Sequence, residues 1–580
     1  MLSHSQIHTV SPDRLTHKWV RFYDAGVPAT LDSEPLPLPA VLERTATDLA
    51  DNTAIIFMNR RMDYRELKGE VDGFATALTG LGVGAGSVVG IQLPNLPQTI
   101  IAYYAALSVG ARVVMTNPLY VEREIEHQWN DAGCEAVVVA DYLFEQRINA
   151  IRDRLPVKNY IVTSIADYLK FPFKQVTSIR LRGSKMPKAA TIEPDNGVYL
   201  MRRLIREAHA EPTKTDIDVD DVAVLQYTGG TTGQPKAAML THRNLSSNVL
   251  QVRAWFTQVE PGRDVFLAAL PFFHVFGMTI GMNFPIAVGA AMVVMPDPRA
   301  IRQMTANIAK HRVTIFPGVP ALLNLITNLP GVEDVDMTSV KACICGSAPL
   351  PQDTRERFQA LTGTLIAEGF GLTETSPVTH ANPLSGLRKD RSIGVPVPGT
   401  EAKIVSLSDG ASELAPGHAG ELVIRGPQVM QAYWNRPAET AETIKDGWLY
   451  TGDIASMDED GYFFIVGRKK EVIIAGGYNI YPDEIDDVLM AHPAVVESGT
   501  IGVPDQRRGE TVKSFVVLAK GQDVTAKELI EHCRAQLAAY KVPRQIEFRD
   551  SLPKSGALKI LRRKLREQEL GRMKGWTSKS

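Results

Sequence analysis

Ten residues, Tyr227-Thr-Gly-Gly-Thr-Thr-Gly-Gln-Pro-Lys236, place three glycines, three threonines and one lysine between two apolar, strand-like segments. Such a loop suits a phosphate. Its glycines let consecutive backbone N–H groups turn toward one anion, the threonines donate O–H bonds, and Lys236 supplies a point charge. It is not the Walker loop, which runs Gly-x4-Gly-Lys-Ser/Thr into a helix. Here Gln-Pro separates Gly233 from Lys236, and Ala237-Ala-Met-Leu240 reads as a further strand. A Gly/Thr-rich hairpin turn with no ligand is the plain alternative.

The elements that must carry this loop alternate between helix and strand. Residues 87–92 read as a strand, 98–110 as an apolar helix and 111–115 as another strand, with the same rhythm at 136–140 and around 313–316. Alternation of this kind predicts largely parallel sheets covered by helices on both faces. From 265 to 296 there is no Asp, Glu, Lys or Arg, which meets the length test for a membrane span. Pro271 and Pro285 break it, His274 lies inside it, and Gly277, Gly281 and Gly289 punctuate it, so it predicts strand, loop, buried helix and strand in a large core. The polar stretch 182–221 reads as an excursion between subdomains. Beyond about Gly467 the pattern shortens to a unit with a strand at 514–518 and a helix at 525–539.

Composition narrows the class. At 580 residues the chain should form several folding units, and 44% hydrophobic content is ordinary for a globular enzyme. A net charge of −2 argues against a nucleic-acid binder relying on a global basic field. The four cysteines, 134, 343, 345 and 533, lack metal-ligand spacing and predict a reducing, cytoplasmic setting without disulfides. Cys343-Ile-Cys345 alternates like a buried strand. Residues 1–13 show no basic region followed by an apolar core, so no signal peptide is expected.

Further motifs follow the loop in order: Phe272-Phe-His-Val-Phe-Gly277, Gly346-Ser-Ala-Pro-Leu350, Glu368-Gly-Phe-Gly-Leu-Thr-Glu374, Tyr450-Thr-Gly-Asp453, Gly467-Arg-Lys-Lys470 and Pro553-Lys-Ser-Gly-Ala-Leu-Lys559. Together they resemble the signature series of the adenylate-forming superfamily that includes acyl-CoA synthetases and firefly luciferase, from about residue 30 to 570. Ser376-Pro-Val-Thr-His-Ala-Asn382 and Ile474-Ala-Gly-Gly-Tyr-Asn-Ile-Tyr-Pro482 are most similar to bacterial long-chain fatty acid CoA ligases.

The resemblance implies an α/β fold. Its large N-terminal domain, 1–469, would hold stacked, largely parallel sheets covered by helices plus a β-barrel-like subdomain, followed by a small mobile α+β C-terminal domain, 470–580. It also implies two steps: a fatty carboxylate attacks the α-phosphate of ATP to give acyl-adenylate and pyrophosphate, and coenzyme A then displaces AMP. Positioning and charge neutralisation should dominate the first step. By resemblance Thr228, Gly229, Gly230, Thr231, Thr232, Gly233 and Lys236 hold the β- and γ-phosphates. Glu374, with Thr232, places Mg2+, and Thr373 contacts the α-phosphate. Gly346, Ser347, Ala348, Glu368, Gly369, Phe370 and Gly371 serve the nucleotide, with Phe370 stacking on adenine where the family more often has Tyr. Asp453 accepts the ribose hydroxyls, with Arg468 near the same sugar.

Lys559 is the expected catalytic lysine, reaching carboxylate and α-phosphate from a C-terminal loop. Leu558 stands where relatives usually carry Gly, and Gly467 where most carry Asp. Lys470 corresponds to the hinge that lets Lys559 leave before the thiol attacks, and Gly476, Gly477 and Tyr478 to a channel for pantetheine. His274 gates the site, and Phe273, Gly277, Gly281 and Gly318 line the acyl pocket, although close packing explains such glycines equally well. A buried methylene is worth about 0.8 kcal/mol, so a deep apolar tunnel would select long acids.

Tyr168-Leu-Lys-Phe-Pro-Phe-Lys174, followed by Arg180, Arg182, Lys185 and Lys188, mixes aromatics with cations. That composition suits reversible contact of residues 168–188 with an anionic membrane, on the inner surface in a bacterial setting. A homodimer is compatible with the resemblance. The competing readings are an aryl or medium-chain ligase, an acyl-AMP ligase feeding a carrier protein, and a catalytically silent binding protein.

Overall fold

The protein is described by a computed structural model covering residues 17–173, 175–177, 190–195, 197–208, 215–228, 235–475, 478–505, 507–554 and 560–577. Among the described residues, two large sheets form the body of the molecule. A nine-stranded sheet has a parallel centre built from Thr53–Phe57, Ala291–Val294, Val265–Ala268, Ile315–Gly318, Ala342–Cys345 and Ile366–Gly371. An eight-stranded sheet is parallel through Val222–Tyr227, Arg112–Met115, Val88–Gln92, Ala136–Ala140, Asn159–Thr163 and Val198–Leu200. These central strands are apolar without alternation because both faces are covered, as at Ala136–Ala140, where every residue is buried.

Helix Pro97–Ser108 is buried from Pro97 to Leu107, which explains a sequence with no polar face. Asn95 joins the two sheets: its side chain donates to the carbonyls of Ala268 (3.1 Å) and Leu270 (2.8 Å) and accepts from Phe272 N–H (2.9 Å). A buried amide satisfied in this way fixes the relative register of the layers. Around it, each buried Leu, Ile or Phe contributes about 2 kcal/mol.

The charge-free stretch folds into strand Val265–Ala268, a helical segment of Val275–Met278, Thr279–Asn283 and Phe284–Ala287, and strand Ala291–Val294. The middle piece is a π-helical turn, which shifts the helix register just before Pro285. No helix among the described residues is long and apolar enough to cross a membrane. All four cysteines are buried as free thiols.

The stretch 182–221 differs from expectation. Strand Val198–Leu200 extends the eight-stranded sheet, and helix Met201–Glu207 packs Ile205 against Gly73, because Val198 and Met201 are apolar enough to be buried. Where a β-barrel-like subdomain is expected, Glu401–Val405, Gly420–Arg425, Trp448–Met457, Ile444–Lys445 and Phe463–Arg468 form an antiparallel sheet.

Beyond it, Ile473–Ala475, Tyr478–Ile480, Val495–Asp505, Gly509–Leu518 and Gln545–Phe548 form a separate sheet, packed by helices Pro482–Met490 and Ala526–Gln536. Pro482 occupies the first helical position with Asp483 and Glu484 in the first turn, favourable for both backbone and dipole. Thr525 caps the second helix through the Glu528 N–H, and that helix ends at Gln536, short of the expected 539.

Candidate active site

The phosphate-type loop connects two antiparallel strands, Val222–Tyr227 and Ala237–Thr241, with Tyr227 opposite Ala237. At its base Thr228 N–H donates to the Lys236 carbonyl at 2.9 Å. Gly229, Gly230, Thr231, Thr232 and Gly233 lie outside the described residues. Lys236, at the mouth, is held on two sides: its Nζ is 3.3 Å from the Glu439 carboxylate and 3.7 Å from the centre of the Tyr433 ring. Tyr433 is carried there by the short strand Ala432–Tyr433, which pairs with the second hairpin strand at Ala238.

The same tyrosine reaches the expected metal-placing residue. Its hydroxyl donates to Glu374 Oε1 at 2.8 Å. Burial first, and then the Glu374 charge, push the Tyr433 phenol far above its ordinary pKa, so it stays a donor. Glu374 lies in the short turn Thr373–Thr375 with Thr373 beside it, and its carbonyl accepts from Met430 N–H at 2.8 Å. Among the described residues no cation lies within ion-pair distance of the Glu374 carboxylate, and no cluster of three metal-binding side chains occurs. One carboxylate with no ion-pair partner among the described residues fits Mg2+, which keeps waters and takes its remaining ligands from substrate phosphates.

The nucleotide motifs meet at the C-terminal ends of strands Ala342–Cys345 and Ile366–Gly371, where open α/β sheets bind ligands. Their glycines are dictated by backbone contact. A Cβ at Gly371 would sit 1.9 Å from the Pro377 carbonyl oxygen, one at Gly369 3.2 Å from that of His380, and one at Gly346 3.2 Å from that of Gly369. Ser347 adopts φ 76°, a left-handed conformation costing a non-glycine residue about 1 kcal/mol, and both it and Ala348 are exposed. Phe370 is half-buried, its ring 6.1 Å from that of His380. Glu368 pairs with Arg355 and accepts from Leu350 N–H at 3.4 Å, and burial raises its carboxyl.

Asp453 and Arg468 face each other across adjacent antiparallel strands, with Arg468 Nε 2.9 Å from Asp453 Oδ1. Burial opposes the arginine's charge, but Asp453, Glu471, Glu374 and Asp483 outweigh it and hold the group protonated. Glu374 is among those charges, so it shares one electrostatic neighbourhood with the Asp453–Arg468 pair.

His274 is brought beside the hairpin by Gln226, whose side chain donates to the Phe273 carbonyl at 3.0 Å. Its Nε2 is buried without a hydrogen-bond partner among the described residues, and burial lowers its pKa to about 4, leaving a neutral ring. Phe273 packs on it at 4.6 Å. A Cβ at Gly277 would lie 2.1 Å from the Pro271 carbonyl oxygen, and one at Gly318 would meet Leu323 and Phe316 at 2.6 and 2.7 Å, so close packing accounts for both glycines. Gly281 faces Phe272 at an ordinary 3.6 Å.

Lys559, Leu558, Gly476 and Gly477 lie outside the described residues, as does the side chain of Tyr478, whose backbone pairs with Ala475. The flanks of the lysine segment are tied together: Lys554 and Ile560 form a bridge, and Leu561 N–H donates to the Pro553 carbonyl at 2.8 Å. Arg562 is half-buried among Glu471 (2.7 Å), Asp486 (2.6 Å) and Asp483. Lys470 is exposed next to Glu471. Gly467 does not adopt a positive φ; a Cβ there would press on Tyr481 at 3.3 Å.

Sequence reasoning missed Tyr433 and Glu439. Tyr433 stands in an aromatic Tyr-Trp-Asn-Arg-Pro run that marks it as unusual, whereas Glu439 carries no local signal.

Residues 42–434 match the AMP-binding enzyme family, and 484–559 match the AMP-binding enzyme C-terminal domain. A long-chain-fatty-acid–CoA ligase of Bacillus subtilis (strain 168) is 42% identical over 556 residues, covering 95% of this chain and 98% of the relative. Among solved structures, an anthranilate CoA ligase in complex with anthranoyl-AMP superimposes with TM-score 0.80 at 27% identity, over 93% of this chain and 99% of that one. An o-succinylbenzoate coenzyme A synthetase from Bacillus subtilis, in complex with ATP and magnesium ion, gives TM-score 0.75 at 26% identity, over 90% and 98%.

Proposed function

The chain belongs to the AMP-binding enzyme family, and from that premise we propose that it is an ATP-dependent, AMP-forming long-chain fatty acid–CoA ligase. The observation that carries the reading is the single side chain of Tyr433, which ties the phosphate-loop lysine to Glu374 beside the Asp453–Arg468 pair. A triphosphate nucleotide matches that arrangement of charge: cation, metal-placing carboxylate and sugar-type acceptor in sequence.

In the first step a carboxylate oxygen bonds to the α-phosphorus as the α–β bridging oxygen leaves with pyrophosphate. Lys236 neutralises the β- and γ-phosphates, and Glu374, oriented by Tyr433, would hold Mg2+. The metal, when bound, spreads the phosphate charge. Asp453 accepts from the ribose, Arg468 steadies Asp453, and Phe370 lies against the base. His274, neutral through burial, offers the incoming carboxylate no competing charge. Lys559 stabilises charge developing between carboxylate and α-phosphate. In the second step the coenzyme A thiol bonds to the acyl carbon, its proton passes to solvent, and AMP leaves. The division after residue 469, with Lys470 as hinge, is part of this proposal and is supported by the change of sheet between Arg468 and Ile473.

Pyrophosphate release measured across carboxylic acids, with and without coenzyme A, tests the reading. Release that stays at background with every acid would overturn it. Adenylate that accumulates despite coenzyme A would move it to a carrier-protein ligase, and a preference for benzoate-type acids to an aryl ligase.

A membrane contact belongs to the same proposal. Phe171 is 80% exposed and Phe173 53%, next to Lys170. Large aromatics held in water beside a cation suit an anionic lipid surface, where the substrate resides.

A further inference from the structure

Resting on the ATP reading above, we propose that Glu439 is an internal counter-ion that occupies Lys236 when no nucleotide is bound and recaptures it as pyrophosphate leaves. Lys236 is the cation at the mouth of the loop, and its Nζ lies 3.3 Å from the Glu439 carboxylate. The ammonium also rests on the Tyr433 ring, so the lysine stem is fixed at the loop mouth and only its ionic partner has to change.

A phosphate oxygen and the Glu439 carboxylate compete for the same three N–H donors. Glu439 is not stranded when phosphate wins. Arg436 Nε already lies 3.7 Å away on the same helix, Pro437–Thr443 and its cap, and Arg436 is itself anchored by Asp131 at 2.9 Å. Asp131 in turn accepts from the Tyr227 hydroxyl at 2.7 Å, at the end of the first hairpin strand. The carboxylate therefore stands between a fixed arginine and a lysine that phosphate can claim. Its side chain is 45% exposed, so exchange needs no unpacking.

The consequence is a lowered affinity for both ATP and pyrophosphate. A loop that only attracts phosphate would hold its product, whereas a built-in anion shortens the residence of pyrophosphate before the thiol step. Glu439 is thus a positioning residue acting through Lys236, with no contact to the substrate.

Calorimetric binding of pyrophosphate and tripolyphosphate to the full chain tests this without turnover. Glu439→Gln should tighten both by about two- to fivefold, the range of a partly exposed ion pair, with the gain shrinking at high salt. Glu442→Gln, which removes the same charge from an exposed position on the same helix, should change neither. In a Lys236→Ala background Glu439→Gln should have no effect. Stopped-flow pyrophosphate release should slow in Glu439→Gln to the same degree. Equal tightening in both Gln variants, no tightening at Glu439, or an effect that persists without Lys236 would each overturn the proposal while leaving the phosphate grip standing. Absence of any Lys236-dependent binding in the wild type would overturn the grip as well.

Discussion

The hydroxyl of Tyr433 donates a 2.8 Å hydrogen bond to Glu374 while the face of the same ring supports the ammonium of Lys236 at 3.7 Å. Two opposite charges 138 positions apart in the chain are thereby spaced by one aromatic side chain, close enough to serve one polyanion and too well separated to neutralise each other.

Removing only the hydroxyl, in Tyr433→Phe, should keep the ring under Lys236 and release Glu374. A hydrogen bond to a charged group is worth about 1.5–3 kcal/mol, so kcat should fall roughly tenfold and the Mg2+ concentration giving half-maximal rate should rise. KM for ATP should change little. Magnesium titrations of the initial rate read both quantities, and an unchanged metal requirement would detach Tyr433 from Glu374's role.

Asp453→Asn removes the charge that lies 2.9 Å from half-buried Arg468 and weakens the ribose acceptor. Breaking a fully buried pair typically costs about 3–5 kcal/mol; the partial exposure of Arg468, and Glu471 and Asp483, which also neutralise it, should reduce the loss. The expected result is a lower Tm together with at least a tenfold rise in Kd for ATP, read by thermal melts with and without nucleotide. Loss of stability with nucleotide affinity intact would limit the pair to structure.

Lys559→Ala should slow adenylate formation by roughly a thousandfold, the scale on which a cation supplied to phosphoryl transfer acts. Thioester formation from preformed acyl-adenylate should survive. Single-turnover measurements of the two half-reactions separate these outcomes, and equal losses in both would assign the residue to folding or binding.

Buried His242 and His380, with His274, whose Nε2 is buried, give the protein an acid limit. Burial lowers His242 to about 4, His274 to about 4 and His380 to about 3, from an ordinary 6.5. The unfolded chain takes up these protons as pH falls through 6.5 and the folded chain does not. Stability is therefore complete above 6.5 and is lost toward pH 4, by at most about 1.4 kcal/mol per pH unit for each group. Asp487, raised to about 6 by burial, acts in the opposite direction between 3.8 and 6. Tm should fall from pH 7 to pH 5, and His380→Asn should flatten the slope; an unchanged slope would contradict the assignment.

Sedimentation with anionic vesicles reads the membrane contact. Replacing Phe171 and Phe173 with Ser, or Lys170, Lys174, Arg180 and Arg182 with Ser, should each reduce co-sedimentation, the second set more strongly at low salt. Binding that is unchanged in both variants would remove that part of the proposal.

Local chemistry made much of the protein legible in its sequence. Apolar runs such as 136–140, alternation of strand and helix, the Pro482 helix start and the ordered Gly, Thr, Asp and Lys motifs all follow from near-neighbour sterics, hydrogen-bonding capacity and hydrophobic period, which are properties of contiguous residues. Tertiary structure decided what those rules cannot reach. That Arg562 is half-buried among three carboxylates, and that Tyr433 and Glu439 share Lys236, depend on elements from distant parts of the chain packing in one arrangement. A contact between residues some two hundred positions apart leaves no local pattern, because its energy is gained only after the sheets have assembled.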